Sequence, residues 1–345
     1  MKLSQVGELG FIKHIRRRFA QEDQSLLMGI GDDAAVLSAV SCRLDSKDLL
    51  LTTDVLVEGV DFDFHYCTFH QVGFKALAAN LSDIAAMGGV PRYFLVTLGF
   101  SGKLTVAQLD QLYEGMADLA HDYELKLIGG DISAAPGGLF VCITVVGEIE
   151  KGQAVVRSGA KVGDLIFVTG TLGDSAAGLE LAKIIDRSRH QHRFLAISTL
   201  LPLLQRQFYP IPRIHEGRLL SAGRFASAMI DLSDGLASDL RHLCEESGVG
   251  AVVEAAALPL SPALVEYARQ VRRDPLDYAL TGGEDFELLL TVPERRVAHL
   301  MQLVRQERIK ARQIGRVFTR ASGIRLKGAR GRRLPFPRRG YEHFT

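Results

Sequence analysis

The chain has few cysteines, and they form no recognisable metal-binding or disulfide pattern. Cys42, Cys67, Cys142 and Cys244 lie far apart and include no CxxC pair, which speaks against a zinc site and against a disulfide framework. No run of about 18 apolar residues occurs, and residues 1–10 lack the basic and apolar regions of a signal peptide. We therefore expect free, buried thiols in a cytoplasmic protein without a membrane partner.

Common signatures of nucleotide and hydrolase sites are missing as well. The chain has no GxxxxGK[ST] loop, no dinucleotide-binding GxGxxG and no protein-kinase catalytic loop, which disfavours ordinary P-loop and Rossmann folds. It also lacks HExxH and GxSxG, so a zinc peptidase or a serine esterase is disfavoured.

Length and composition indicate a folded protein with two α/β units. At about 150 residues per domain, 345 residues predict two domains. Apolar residues make up 47% and charged residues 23%, as is typical of globular chains. Strand-like runs alternate with helical periodicity in both halves, and the polar stretch at residues 148–161 separates them. We therefore predict an α/β fold with domains at 1–150 and 151–345.

The charge is unevenly distributed along the chain. Residues 305–339 contain 13 Lys and Arg against one acid, Glu307, which gives this segment +12 and leaves −11 for the rest of a chain whose total is +1. Apolar residues alternate with the basic ones at strand-like intervals, so we interpret the segment as a solvated face or a β-hairpin. It lacks the interleaved aromatics of a stacking platform, and nucleic acid is therefore not expected as a partner.

Aspartates recur where the predicted strands end. Asp32 and Asp33 follow one apolar run, and Asp54, Asp131 and Asp231 each follow another. Open α/β sheets place ligands at the C-terminal ends of their strands. A single aspartate at such a position is most simply a turn residue or a helix cap. Four acidic strand ends in one chain are not all expected to be turn residues or helix caps, and they favour a shared site.

Another acid lies on an apolar helix. Residues 70–87 have apolar side chains at helical spacing, and Asn80 and Asp83 share one face of that helix. An unpaired buried carboxylate is very costly, so we expect Asp83 to have a partner. Ser233 or Asp234 is expected to cap a later helix, which Gly248 ends.

Carboxylates that converge must be neutralised by protons or by cations. The neighbouring donors are the hydroxyls of Thr52, Thr53 and Ser233, with no His or Cys nearby. Ligands that are all oxygens suit Mg²⁺ rather than zinc or copper. Several Mg²⁺ ions in one site usually indicate phosphate substrates.

Short motifs in a fixed order connect the chain with a known family. They are Gly29-Ile30-Gly31-Asp32-Asp33-Ala34, Leu51-Thr52-Thr53-Asp54, Val57-Glu58-Gly59-Val60, Lys75-Ala76-Leu77-Ala78, Asn80-Leu81-Ser82-Asp83, Ile128-Gly129-Gly130-Asp131, Arg157-Ser158-Gly159-Ala160, Ile230-Asp231-Leu232-Ser233-Asp234-Gly235, Gly282-Gly283-Glu284-Asp285 and Gly340-Tyr341-Glu342-His343-Phe344. This ordered set resembles thiamine-monophosphate kinase from the N-terminus to the last residues.

The resemblance implies both a fold and a reaction. The family belongs to the aminoimidazole-ribonucleotide-synthetase-like superfamily, whose members pair an N-terminal α/β domain with a larger C-terminal one. Their homodimers join the N-terminal sheets into a barrel. The implied reaction moves the γ-phosphoryl group of ATP to thiamine monophosphate with several Mg²⁺ ions. Residues 1–150 would then bind ATP and Mg²⁺ and form the dimer, and residues 151–345 would carry the basic segment and a substrate-covering tail.

Residue roles are implied at the matching positions. The implied metal ligands are Asp33, Thr52, Thr53, Asp54, Asp83, Asp131, Asp231 and Asp234. The residues implied to face ATP are Tyr113, Gly130, Asp131, Arg157 and Ser233, and those implied to face the thiamine end are Glu284 and Tyr341. Within these sets we assign catalytic roles to Asp54, Asp83 and Arg157.

The chemistry of this reaction agrees with the residues that are present. A phosphate monoester has a second pKa of about 6, so its oxygen is already ionised at neutral pH and needs no general base. The obstacle is to bring two polyanions together, which metal ions and Arg157 address. Two alternatives stay open: another ATP-dependent synthetase of the superfamily, acting on a nucleotide or selenide, and a non-catalytic Mg²⁺-nucleotide sensor.

One position departs from the family. After Val60 the family usually carries a histidine that faces the substrate, and this chain has Asp61. An anion beside a phosphate weakens binding unless a cation intervenes. Three arrangements are open: Asp61 binds a further Mg²⁺, the loop shifts so that His65 takes the family role, or Asp61 faces solvent. We favour a substrate-facing loop with altered affinity.

Overall fold

The computed structural model describes residues 13, 26–29, 31–38, 46–188, 197–328, 331–337 and 340–341. Strands and helices alternate along these residues. The sequence also predicts a helix over residues 11–19, most of which lies outside the described residues, as do Cys42 and the last four residues of the chain.

The first half of the chain forms a six-stranded mixed sheet. Its strands are β1 (Leu26–Met28), β2 (Ala35–Ser38), β3 (Lys47–Val57), β4 (Val90–Phe100), β5 (Lys126–Ala134) and β6 (Phe140–Glu150). Their spatial order is β1-β2-β3-β6-β4-β5, and only β4 and β5 pair in parallel. β3 and β6 pair without interruption from Lys47 opposite Glu150 to Val57 opposite Phe140, which holds the acidic residue Asp54 in a fixed register.

Two helices cover one face of this sheet. They are α1 (Phe69–Ala86) and α2 (Val106–Asp122), and each begins with a capping box, at Thr68 and at Thr105. α1 confirms the helix that the sequence predicted at residues 70–87. α1 contacts the sheet, α2 and the second half of the chain, and its Leu77, Leu81 and Ile84 are completely buried.

The second half forms a seven-stranded mixed sheet. Its strands are β7 (Leu165–Thr169), β8 (Ala228–Asp231), β9 (Val249–Glu254), β10 (Leu288–Val292), β11 (Ala311–Thr319), β12 (Ile324–Lys327) and β13 (Arg333–Leu334), in the order β13-β12-β9-β11-β7-β10-β8. The helices of this half are α3 (Asp174–Ser188), α4 (Ile197–Phe208), α5 (Ile214–Ala222), α6 (Leu236–Ser247), α7 (Pro262–Val271), α8 (Pro275–Thr281) and α9 (Glu294–Arg305).

The basic segment supplies strands rather than a separate module. β11 and β12 lie on opposite sides of β9, β12 being parallel to it, so these two strands do not pair with each other. β12 pairs antiparallel with β13, the next strand along the chain, so the segment does contain a short β-hairpin, one of the two arrangements that the sequence predicted. Ile314, Val317 and Leu326 are buried, whereas Arg308 and Arg312 are exposed, as expected for a solvated face.

Two strands continue past the acids that were predicted to end them. β3 runs three residues beyond Asp54, and β5 runs on to Ala134. Gly130 does not turn the chain; it allows a close approach, because a Cβ atom there would lie 1.9 Å from the carbonyl oxygen of Val96 on β4. Asp231 ends its strand as predicted, and Asp32 and Asp33 follow the end of β1 as predicted.

One hydrophobic cluster spans both halves, and the second half has two further clusters of its own. Buried residues of the first half, such as Leu77, belong to the same cluster as Phe167 on β7 and Leu288 on β10. α1 therefore lies between the two sheets and brings its polar residues against β8. Within the described ranges, none of the helices is both long enough and apolar enough to span a membrane.

Candidate active site

Three carboxylates converge where the two halves meet. Asp33 lies between β1 and β2, Asp83 lies on α1, and Asp231 ends β8; one oxygen atom of each lies within 4.8 Å of the others. Burial, reinforced by neighbouring carboxylates, raises the pKa of Asp83 and of Asp231 well above the ordinary carboxyl value. The fold thus concentrates acids that need protons or cations to coexist.

Two further acids extend this cluster. The Asp54 side chain on β3 hydrogen-bonds that of Asp83, and burial raises the pKa of Asp54. Burial and the adjacent Asp33 raise the pKa of Asp32 to about 7. The backbone N–H groups of Asp33 and Arg157 donate to the Asp32 carboxylate, at 3.0 and 3.1 Å. Asp32 thereby joins the loop before β2 to the segment between the halves.

Hydroxyl and amide groups hold the cluster in place. Thr52 on β3 donates its hydroxyl to Asp83, and Ser82 on α1 donates to Asp231 Oδ2 at 2.7 Å. Asn80 accepts the backbone N–H of Asp54 at 3.1 Å and donates to a carbonyl of its own helix. The partner expected for Asp83 is therefore present. Thr52 and Asp54 reach the cluster together because alternate strand residues face the same side.

Arg157 is the cation at the edge of the cluster. Its guanidinium forms an ion pair with Asp33, and Asp33 raises its already high pKa against the opposing effect of burial. Within the described residues, Asp33 Oδ2 and Arg157 Nε are buried without a hydrogen-bond partner. An orphaned carboxylate oxygen beside two other carboxylates fits a bound cation. Because the donors are all oxygens, the residues fit Mg²⁺.

Asp54, Asp83 and Asp231 of the cluster line a cleft of about 610 Å³ between the halves, whereas Asp33, Thr52 and Arg157 are not part of its lining. Of the predicted site residues, eight line this cleft: Asp54, Asp61, Asp83, Asp231, Ser233, Asp234, Glu284 and Tyr341. The cleft therefore brings implied metal ligands and all three residues assigned to the substrate into one space.

Other predicted site residues lie outside the cleft lining. Thr53 points to the opposite face of β3, where its hydroxyl donates to the carbonyl of Ile143 at 3.1 Å. Gly130 and Asp131 lie on the fully exposed strand β5, and Tyr113 is half-buried on α2. The roles of these residues stay predictions.

In the loop between α8 and β10, successive side chains alternate between the cleft and the protein interior. Glu284 and Phe286 adopt left-handed backbone conformations, with φ of 66° and 48°, and both line the cleft. Asp285 between them is buried and accepts the backbone N–H groups of Gly173 and Ser175, at 2.6 and 3.2 Å, at the start of α3. This anchoring fixes the strained loop.

The C-terminal tail returns to the cleft through backbone bonds. Gly340 donates its N–H to the Ser238 hydroxyl at 2.8 Å, and Tyr341 donates its own to the carbonyl of Asp234 at 3.0 Å. A Cβ atom on Gly340 would lie 2.0 Å from that same carbonyl oxygen, so the tail needs glycine there. Contrary to prediction, neither Ser233 nor Asp234 caps α6. Its N-cap is Gly235, which leaves both side chains at the cleft.

Asp61 lies at the cleft and closes a turn. It follows β3, and its carboxylate accepts the backbone N–H of Val57 at 2.8 Å. His65 is outside the cleft lining, with its side chain 79% exposed and hydrogen-bonded to Asp63.

Three supporting residues escaped the sequence reasoning. Lys75 and Ser82 both lie on α1 and are almost completely buried, and Gln207 at the end of α4 is 2% exposed. A polar side chain on an apolar helix, the pattern that pointed to Asp83, could also have pointed to these residues. That pattern shows that a partner is needed, but it does not show which distant residue is the partner. Lys75 pairs with Glu284, and Gln207 Nε2 donates to Glu284 at 3.2 Å.

The chain matches the two domains of one protein family. Residues 31–149 match the N-terminal domain of AIR synthase related proteins, and residues 161–327 match their C-terminal domain. This confirms the prediction of a two-domain α/β fold of this superfamily, here with two mixed sheets.

Individual relatives narrow the family further. The thiamine-monophosphate kinase of Bacillus subtilis is 38% identical over 320 residues, covering 93% of this chain and 94% of the relative. The enzyme of the same name from Aquifex aeolicus is 38% identical over 86% of this chain and 89% of its own. A solved structure described as "AaThiL complexed with AMPPCP and TMP" superposes with a TM-score of 0.82 at 34% identity, over 99% of both chains. The chain therefore belongs to the thiamine-monophosphate kinase family of enzymes, as its ordered motifs predicted.

Proposed function

We propose that the protein transfers the γ-phosphoryl group of ATP to thiamine monophosphate, giving thiamine diphosphate and ADP. The observation that carries the proposal is the convergence of Asp33, Asp83 and Asp231, two of which line the cleft between the two halves. The related structure named above binds AMPPCP, an ATP analogue, together with TMP. Glu284 and Tyr341, which were predicted to face the thiamine end, line the same cleft.

Mg²⁺ is the metal that suits this site. Asp33, Asp83 and Asp231 would hold it, with Asp54 and Asp234 close enough in the cleft to share in binding several ions. When bound, Mg²⁺ would neutralise the carboxylates and the phosphate oxygens of both substrates. Thr53 and Asp131 remain proposed ligands that the cleft lining does not include.

The transfer would be direct and would use no protein base. The acceptor phosphate has a second pKa of about 6 and is ionised at neutral pH. The protein's part is to align the two phosphates and to exclude water.

Arg157 would supply a fixed positive charge. Its ion pair with Asp33 holds the guanidinium beside the acids, and its backbone N–H holds Asp32. We propose that this charge offsets the approach of a polyanion, which is the main electrostatic cost of the reaction.

We propose that two copies join their N-terminal sheets into a barrel, with residues 1–150 as the dimerising and ATP-binding domain and 151–345 as the second domain. The face of the first sheet opposite α1 exposes large apolar side chains, including Val55 and Val57 on β3 and Tyr93 on β4, the last 45% exposed. β5, which carries Gly130 and Asp131, is exposed throughout. A second copy on this face would bury it and would bring those two residues into an enclosed site.

ADP release with and without thiamine monophosphate tests the function. We expect release that depends on both the acceptor and Mg²⁺. Release without the acceptor, or with a nucleotide or selenide instead, would favour another synthetase of the superfamily, and nucleotide binding without release would favour a sensor. A cytoplasmic location stays a prediction from the sequence.

A further inference from the structure

A lysine lies almost completely buried between the two halves of the molecule. The Lys75 side chain on α1 is 5% exposed, and its ammonium forms an ion pair with Glu284 Oε1. Taking an ammonium out of water is expensive unless a partner compensates for it. The position of Lys75 therefore depends on a carboxylate from the other half of the chain.

Glu284 is held from both sides. Lys75 binds one carboxylate oxygen, and Gln207 Nε2 donates to the other at 3.2 Å. Gln207 is itself oriented by the Ser175 hydroxyl, which donates to its Oε1 at 2.6 Å. The left-handed backbone of Glu284 turns its side chain toward these partners and the cleft. The carboxylate is thus fixed in direction, with its side chain 27% exposed.

The charge of this pair suits the cleft. Asp54, Asp61, Asp83, Asp231 and Asp234 already line it, and the proposed substrates are anionic. An unpaired Glu284 would add a further repulsive charge, whereas the ion pair is neutral overall. Its remaining lone pairs accept hydrogen bonds without adding net charge to the cleft.

We propose that Lys75 is a positioning residue for substrate recognition: it neutralises and orients Glu284, which then serves as a hydrogen-bond acceptor for the amino group on the ring end of thiamine monophosphate. This inference rests on the proposed function. Glu284 selects a ligand that carries an N–H donor at this end, and Lys75 acts only through Glu284. Because the two residues come from different halves, this recognition point forms only when the halves are packed together.

The test uses Lys75→Met, Glu284→Gln and the double variant, with Lys47→Met as the matched control. Lys47 also pairs with a glutamate, Glu148, which keeps Arg92 as a second partner. Binding of thiamine monophosphate, and of the analogue whose ring amino group is replaced by an oxo group, is measured by calorimetry. The KM values for thiamine monophosphate and for ATP are measured separately, and thermal melting verifies that each variant is folded.

We expect Lys75→Met to weaken thiamine monophosphate binding on the order of tenfold, the effect of losing one charge-assisted hydrogen bond. The preference for the amino over the oxo ligand should fall by a similar factor, while the KM for ATP changes by less than about twofold. The double variant should bind thiamine monophosphate no more weakly than the single variant with the larger loss of affinity, because both substitutions remove the same contact. Lys47→Met should match the wild type.

An unchanged ligand preference in folded Lys75→Met, additive losses in the double variant, or a parallel rise in the KM for ATP would each overturn the inference. If Lys75→Met does not fold, Glu284→Gln decides, since it keeps both the lysine and the side-chain volume. If the wild type converts thiamine monophosphate and the variants keep the same preference for the amino over the oxo ligand, the role of Lys75 is rejected and the proposed function stands. Selective binding without any turnover would reject the proposed function alone.

Discussion

Ser82 and Asp231 join the two halves of the molecule at the acidic cluster. Ser82, on α1 of the first half, donates its hydroxyl to Asp231 Oδ2 at the end of β8, at 2.7 Å, and both side chains are buried. One carboxylate of the cluster is therefore oriented by a residue from the opposite half.

Ser82→Ala should weaken the response to Mg²⁺ by about 10- to 100-fold, as the loss of a group that orients a metal ligand does. The measurement is the Mg²⁺ concentration that gives half-maximal activity. Ser221→Ala is the control, because Ser221 is equally buried and its hydroxyl bonds a backbone carbonyl, that of Gln153. Equal Mg²⁺ requirements in the two variants would show that the Ser82 bond only supports the fold.

Asp83→Asn and Asp54→Asn should lower the rate on the order of a hundredfold or more, because each removes a carboxylate from the proposed metal site. Each change keeps the side-chain volume. Without Mg²⁺, each variant should be at least as stable as the wild type. Burial and neighbouring acids oppose the ionisation of Asp83, so a neutral amide at this position removes a source of charge repulsion. Activity assays are paired with melting curves in chelator. A variant that melts early yet keeps normal activity per folded molecule would identify these residues as structural.

The metal-free protein should lose stability as the pH rises from about 6.5 to 8. The pKa of Asp32 is raised from 3.8 to about 7, and those of Asp83 and Asp231 are raised well above 3.8. Folded molecules therefore retain protons that unfolded chains have released, and this contribution is lost as the pH passes the folded values. Burial lowers the pKa of His242 from 6.5 to about 4. This side chain therefore makes stability rise with pH only between about pH 4 and 6.5, which is below the range considered.

Melting temperatures across that range, with and without Mg²⁺, measure this effect. Mg²⁺ should stabilise the protein more at the higher pH, since the cation replaces the protons. Asp83→Asn should reduce the slope. A stability without Mg²⁺ that rises with pH would contradict the assignment of these acids as a proton-holding cluster.

Asp61→His should tighten the binding of thiamine monophosphate and leave ATP binding nearly unchanged, because it removes an anion from the cleft lining. The change also removes the carboxylate that accepts the Val57 N–H. Asp61→Asn separates the two effects, since its amide oxygen still accepts that bond without the charge. Unchanged kinetics in both variants at every Mg²⁺ concentration would remove Asp61 from the substrate site.

Tyr93→Lys should convert a dimer into monomers in sedimentation experiments. Tyr93 is 45% exposed on the face of the first sheet opposite α1, and a charge there would oppose the burial of this face. Val106→Lys is the control: Val106 is 74% exposed at the start of α2 and should leave the dimer intact. A wild-type protein that sediments as a monomer would refute the proposed barrel.

Residue patterns predicted which acids come together more reliably than they predicted where the strands end. Asp83 could be recognised because a carboxylate on an apolar helix requires a partner, and the Thr52 hydroxyl provides it. The extent of β3 and β5 was mispredicted because an acid or a glycine pair is usually a turn signal. Gly130 instead permits close packing against β4, and sequence spacing does not distinguish a turn from a close approach.

Pairings across the two halves were beyond local patterns. Lys75 and Glu284 lie far apart in sequence, as do Arg157 and Asp33, and only the packing of α1 between the sheets brings the first pair together. The ordered motifs predicted that Tyr341 faces the substrate, but its backbone bond to Asp234 is visible only in the structure.

The most direct test of the account is product identification after the purified protein is incubated with ATP, Mg²⁺ and either thiamine monophosphate or free thiamine. The account predicts thiamine diphosphate and an equal amount of ADP with thiamine monophosphate, none in chelator, and a greatly reduced yield with Asp83→Asn. Phosphorylation of free thiamine, with no thiamine diphosphate formed from thiamine monophosphate, would contradict it.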